Sequence, residues 1–190
     1  MKIIKSEKRL CTCCMEEHEV KTVLVSEQAT FKNVKVNYEA SYLYCDAAEE
    51  CYADEQQVQE NDIRLKDAYR KAEGLLTSSE ISGIRAKYGI SQTDMCTLLG
   101  WGAKTITRYE GHQVQDKAHD TILKKLDRDS EWFLYLLNDA RCEIMRKLSA
   151  CYRFGRGVSV DVEKANYYMK EAARYGDADA QKLQEYLHIK

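Results

Sequence analysis

At 190 residues, with 44% hydrophobic and 32% charged content, the chain can fill one or two compact cores and is too short for one large enzyme. Its formal net charge of -2 excludes a polybasic coat that holds any nucleic acid, so affinity for DNA has to come from locally placed cations and from dimerisation. Met1 to Leu10 lacks the apolar centre of a secretory signal, no run approaches the roughly 18 apolar residues of a membrane span, and proline is absent; a cytoplasmic, largely helical protein is expected.

Eight cysteines in such a chain argue against a disulfide framework, because thiols stay reduced in the cytoplasm, and their clustering points to a metal. Cys11, Cys13 and Cys14 come first, then Cys45 and Cys51. Cys11 and Cys14 form C-x-x-C, a spacing that lets two thiolates grip one zinc at about 2.3 Å. VKTVLV, ATF and VKVNYEASYLY read as strands that bring the two cysteine groups together, with Val34, Val36, Tyr38, Ala40, Tyr42 and Tyr44 on one face at period two. Four protein ligands would make the zinc structural, which is the role expected; Glu16, Glu17 and His18 lie nearby in sequence and keep a zinc-dependent hydrolase as the less favoured alternative, for which the sequence offers no paired acid-base motif. Tyr38 to Asp62 carries eight acidic residues and no Lys or Arg, which suits either a solvated face or a basic partner and keeps the segment away from DNA.

From Asp54 to Glu73, Val58, Ile63, Leu65 and Tyr69 recur at loosely helical spacing, and Gly74 ends the run. This predicts a linker helix.

SQTDMCTLLGWGAKTITRYEG, Ser91 to Gly111, has the grammar of a helix-turn-helix. Ser91 caps a helix that starts at Gln92, Asp94 suits its positive end, and Met95, Leu98 and Leu99 supply one buried face. Gly100 and Gly102 bracket Trp101 where the chain turns. In the second helix Ile106 and Tyr109 point inward, and Lys104, Thr105, Thr107 and Arg108 point outward. That outward set matches a duplex groove: Arg donates two parallel bonds to guanine, Thr offers a hydroxyl or a methyl, and Lys neutralises phosphate. Gln92 and Thr93 stand where the preceding helix can hold a phosphate. Ile81, Ile84, Ile90, Ile122, Leu123 and Leu126 supply flanking helices. An ordinary helical bundle with a solvated polar face is the alternative.

The segment from Thr77 to Leu126 resembles the Xre/Cro-type helix-turn-helix, and more narrowly the carboxy-terminal domain of MqsA-type (YgiT-type) antitoxins of bacterial toxin-antitoxin systems. The resemblance implies that Arg108 reads bases, with Lys104 as a changed residue at the other base-reading position and hence a different operator. It extends to about residue 60, since those antitoxins begin with a zinc domain built from two C-x-x-C pairs. Cys45 matches the first cysteine of the second pair, while the partner position holds Ala48. Cys51, His18 or Cys13 then supplies the fourth ligand.

Beyond the DNA unit, EWFLYLLNDA is too apolar for one narrow helical face, so part of it packs against another helix or chain. LSACYRFGRGVSVDVEKANYYMKEAARYGDADAQKLQEYL resembles a single Sel-one-type repeat, a relative of the tetratricopeptide repeat, through Tyr152, Gly155, Gly157, Val158, Asp161, Lys164, Ala165, Tyr168, Ala172, Ala173, Gly176 and Ala180. One repeat buries its apolar face against a neighbour, so this arm is expected to dock on EWFLYLLNDA or on a second subunit. Cys96, Cys142 and Cys151 fall at apolar helical positions and read as core.

The fold expected is mainly α with a small β-containing zinc-binding amino-terminal domain, a helix-turn-helix bundle and a carboxy-terminal helical repeat, divided at 1–60, 61–76, 77–128 and 129–190. The function expected is that of a sequence-specific regulator binding double-stranded DNA as a homodimer; the resemblance implies an antitoxin that represses its own promoter and binds a protein toxin. A phage or mobile-element repressor without a toxin, and an adaptor that uses the helical repeat, are the alternatives. With no phosphate loop, nucleophile elbow or HExxH, the chain is not expected to be an enzyme.

Overall fold

A computed structural model describes residues 1–139 and 142–187, with the side chains of 138–144 outside the description. The chain forms two compact units: Met1–Ser78 with Gly111–Val114, and Ser79–Glu110 with Gln115–Lys190.

The first unit is a meander of four antiparallel strands in the order β1-β2-β3-β4: β1 (Lys2–Leu10), β2 (Glu17–Phe31), β3 (Val34–Cys45) and β4 (Glu50–Tyr52). Lys32 and Asn33, at φ 46° and 67°, make the two-residue turn between β2 and β3, the left-handed geometry whose twist matches a hairpin. The register sets Val34, Val36, Tyr38, Ala40, Tyr42 and Tyr44 opposite Phe31, Ala29, Glu27, Val25, Val23 and Lys21. Glu27 accepts hydrogen bonds from both Tyr38 (2.7 Å) and Tyr42 (2.6 Å) on that face.

Helix α1 (Glu55–Ala72) starts from a capping box between Asp54 and Gln57, which satisfies two end groups reciprocally. It lies beside β3 where β4 has ended and does the work of a missing strand. The Asn61 amide accepts from the Ser41 N–H (2.7 Å) and donates to the Ser41 carbonyl (2.8 Å), while Arg64 donates to the Glu39 carbonyl (3.1 Å). Edge groups left open invite pairing with other chains; here side chains of a helix occupy those of Ser41 and the Glu39 carbonyl. Near the helix end the fully buried Arg70 donates to Asp67 (2.7 Å) and to the Gln113 carbonyl (2.8 Å), which ties 111–114 to this unit.

The mainly α expectation is corrected by this sheet: the chain is mixed α and β. β2 runs unbroken for 15 residues and absorbs both VKTVLV and ATF, and β1 adds 9 more. β1 gives no apolar alternation because it is an edge strand whose side chains are mostly exposed.

The second unit holds most of α2 (Ser78–Tyr88), then α3 (Gln92–Leu98), α4 (Thr105–Tyr109), α5 (Lys117–Arg128), α6 (Ser130–Asp139), α7 (Cys142–Phe154), α8 (Val162–Arg174) and α9 (Ala178–Tyr186). Ile81, Ile84, Ile90, Met95, Cys96, Ile106, Tyr109, Leu123 and Leu126 are buried in its core, and Ile122 is half-buried. The carboxy-terminal helices meet this core at Tyr88. Its ring stacks on Phe133 at 3.7 Å, its hydroxyl donates to the Leu126 carbonyl (2.8 Å), and its carbonyl accepts from the Cys151 thiol (3.6 Å). Ser149 donates to the Ala165 carbonyl (2.6 Å), an approach that the small residues of α7 and α8 permit. Cys96 and Cys151 are buried; the side chain of Cys142 lies outside the described ones.

Candidate metal centre and nucleic-acid interface

Cys11 closes β1, and the chain reverses within six residues: the Met15 N–H donates to the Cys11 carbonyl (2.8 Å) and the Cys11 N–H to the Glu16 carbonyl (2.9 Å). Met15, four residues after Cys11, takes φ 61°; Glu49, four residues after Cys45, takes φ 55°. Two turns with a left-handed residue at the matching position therefore hang from the ends of β1 and β3. The first supplies Cys11 and Cys14. The second supplies Cys45, while at the Cys14-equivalent position the Ala48 N–H donates to the Cys45 sulfur (3.4 Å).

His18 completes the group. It lies on the β2 face shared by Val20, Leu43 and Cys45, because the register pairs Thr22 with Leu43. One donor atom each from Cys11, Cys14, His18 and Cys45 lie within 4.8 Å of one another. Ligand atoms at about 2.3 Å (sulfur) and about 2.0 Å (nitrogen) from one tetrahedral ion stand about 3.5 Å apart, close to the 3.6 Å between His18 Nε2 and Cys45 Sγ. His18 Nδ1 is 2.9 Å from the Glu19 carbonyl; a proton held there fixes the ring and leaves Nε2 facing the thiols, as an outer-shell bond does in metal sites. The four residues thus form a candidate Cys3His metal site. Cys11 and Cys45 are fully buried in a small cluster with Val20 and Leu43.

The surroundings favour charge separation. Burial pushes the Cys11 thiol up, but the Tyr52 hydroxyl, the Cys14 and Cys13 amides and His18 outweigh it and bring it to about 5. The Glu19 carbonyl and the Cys11 sulfur raise His18 to about 9. Cys13 is half-buried against the same cluster, with its sulfur 3.9 Å from a Glu50 oxygen, and Cys51 is exposed on β4 opposite Tyr44; neither belongs to the four-residue group.

In the second unit Ser91 and Asp94 form a complete capping box at α3. Leu99 ends that helix, Gly100 takes φ 67°, and the Trp101 N–H returns to the Cys96 carbonyl (2.8 Å) while Gly100 returns to Thr97 (3.2 Å). This closing motif needs a left-handed residue, hence glycine. Helix α4 follows, with Ile106 and Tyr109 buried and Lys104, Thr107 and Arg108 exposed; Thr105 is half-buried. Among the described residues no hydrogen bond or ion pair engages the side chains of Lys104 or Arg108.

Gln92 and Thr107 have internal roles. Thr107 donates its hydroxyl proton to Gln92 (2.8 Å) and Gln92 donates to Glu110 (2.6 Å), so Gln92 is a strut between α3 and α4. Glu110 also takes a forked pair of bonds from Arg85 (2.8 and 3.1 Å). Thr93 is exposed, and its carbonyl accepts from Thr97 (3.0 Å). Lys147 of α7 pairs with Asp94 at the start of α3.

The sequence reading missed Arg85, Glu110 and Lys147. Arg85 and Glu110 are 25 positions apart, beyond any local pattern. Trp101, Tyr109 and His119 also meet edge to face, with Trp101 and His119 at 4.4 Å. Among the described residues no helix is long and apolar enough to cross a membrane. No protein-family model and no curated protein matches this chain.

Proposed function

We propose that the second unit reads duplex DNA through α4, with Arg108 on base edges, Thr107 beside it, and Lys104 and Thr93 on phosphates. The observation that carries this reading is Arg108, exposed and unpaired among the described residues, on a short helix whose position is fixed against α3 and α2 by Thr107, Gln92, Glu110 and Arg85. A reading helix must present its donors while its own position is fixed, since specificity requires register on the duplex.

Zinc is the metal proposed for Cys11, Cys14, His18 and Cys45. Three thiolates and an imidazole suit it, and four protein ligands leave no place for a reactive water, so its role is to hold the small sheet unit together. The sequence resemblance extends the proposal to a dimeric antitoxin that represses its own promoter and binds a protein toxin. The test is a gel-shift and footprint titration on the DNA upstream of the protein's own reading frame, across a salt series, with metal content measured on the same sample. Protection of an inverted repeat, with one zinc per chain, is expected. Binding that falls equally on all sequences as salt rises would contradict the reading.

A further inference from the structure

Beside β3, helix α1 leaves a groove of about 680 Å³ lined by Lys35–Glu39 on one side and Arg64, Asp67, Ala68, Lys71 and Ala72 on the other. Ser41 directs its amide and carbonyl away from β2, into Asn61. In an antiparallel ladder residues two apart direct these groups the same way, so Glu39, Asn37 and Lys35 do too. Arg64 takes the Glu39 carbonyl, and past that point the helix side chains facing the strand shrink to Ala68 and Ala72. Among the described residues nothing hydrogen-bonds the outward backbone of Asn37 or Lys35. The edge is thus closed by side chains at one end and left open, over an alanine floor, at the other.

The charges flanking that opening do not cancel. Asp67 is engaged by Arg70 and by the amide and hydroxyl of Ser78, while among the described residues no carboxylate pairs with Lys35 or Lys71, and the carboxylate that Arg64 reaches is that of Glu60, at 3.9 Å. Two unpaired cations, Lys35 and Lys71, stand with Arg64 around the single uncompensated carboxylate of Glu39.

We infer that this groove accepts an extended acidic segment of a partner protein, added as a strand to the Lys35–Asn37 edge. The edge supplies main-chain hydrogen bonds, Ala68 and Ala72 admit alternate side chains, and Lys35, Arg64 and Lys71 select carboxylates. It is independent of the DNA-binding proposal.

The test is selection of heptapeptides from a random library on the full-length protein, followed by fluorescence anisotropy of the enriched peptides. Alternating apolar and acidic sequences are expected, with at least tenfold weaker binding to Ala68→Leu, which fills the groove, and to the exposed-site variant Lys35→Glu/Lys71→Glu; circular dichroism checks that both fold. Failure to enrich, enrichment of basic peptides, or binding that both variants retain would overturn the inference. So would a dimer in sedimentation, or a bound single-stranded oligonucleotide, that Ala68→Leu releases, because the occupant would then be a second copy or a nucleic acid.

Discussion

At the scale of single residues, the metal group separates thiols that the sequence leaves equivalent. Cys11 and Cys14 were legible because C-x-x-C is a local spacing. The fourth ligand was not, since His18 reaches Cys45 only through the β2–β3 register, which fixes faces over 27 positions. Cys14→Ala and His18→Gln are expected to lose bound zinc, and Cys51→Ser to keep one per chain; elemental analysis after dialysis decides, and equal loss from all three would contradict the assignment. Chelation should lower the unfolding temperature of the sheet unit, because structural zinc contributes folding free energy directly. Asp94 offers a test by pH. Burial pushes its carboxyl up, but Lys147 and Ser91 outweigh this and hold it below the usual carboxylate range. A lowered folded value stabilises above the ordinary carboxylate pKa of about 3.9, and that contribution fades as pH falls through the lowered value. The difference in urea midpoint between the wild type and Asp94→Asn should therefore be full near pH 6 and close on acidification. A difference independent of pH would exclude the ion pair as its source.

At the scale of elements, α3, α4 and the turn between them were legible because their signals are short-range: a serine cap, a left-handed glycine, and apolar residues three and four apart. The sheet was harder. β1 has no alternating pattern, and the apolar spacing of α1 marks it as a helix but not as the cover for the edge of β3, which depends on Asn61 and Arg64. Two elements can be tested through one residue each. Glu110 joins α2, α3 and α4, so Glu110→Gln leaves the part-buried Arg85 without its charge partner, and a stability loss of about 2 kcal/mol is expected in denaturant titration. The same variant should weaken binding to the protected site more than to a scrambled duplex, since the helix loses orientation while its outward cations stay; equal weakening would argue that this network does not position α4. Gly157, at φ 73°, allows the α7–α8 turn to pass Tyr88: a Cβ there would meet the ring at 2.5 Å. Gly157→Ala should cost about 2 to 4 kcal/mol from overpacking and backbone strain, and should loosen the Tyr88–Phe133 stack, visible in near-ultraviolet dichroism. An unchanged unfolding curve would show that the carboxy-terminal helices do not rest on this contact.

At the scale of the whole molecule, the chain divides its chemistry: one unit carries the thiol and imidazole cluster and a sheet edge, and the other carries the polar face of α4. With a net charge of -2, the proposed affinity for a duplex would rest on a few placed cations, so removing the side chain proposed to read bases should affect sequence discrimination more than general attraction. The most direct measurement is the affinity of the wild type and of Arg108→Ala for the footprinted duplex and for a scrambled duplex of equal length, at one salt concentration. The account predicts a loss of about 1 to 3 kcal/mol on the footprinted site, roughly 5- to 150-fold, with scrambled binding, zinc content and unfolding temperature nearly unchanged. Retention of wild-type affinity for the footprinted site by Arg108→Ala would contradict it.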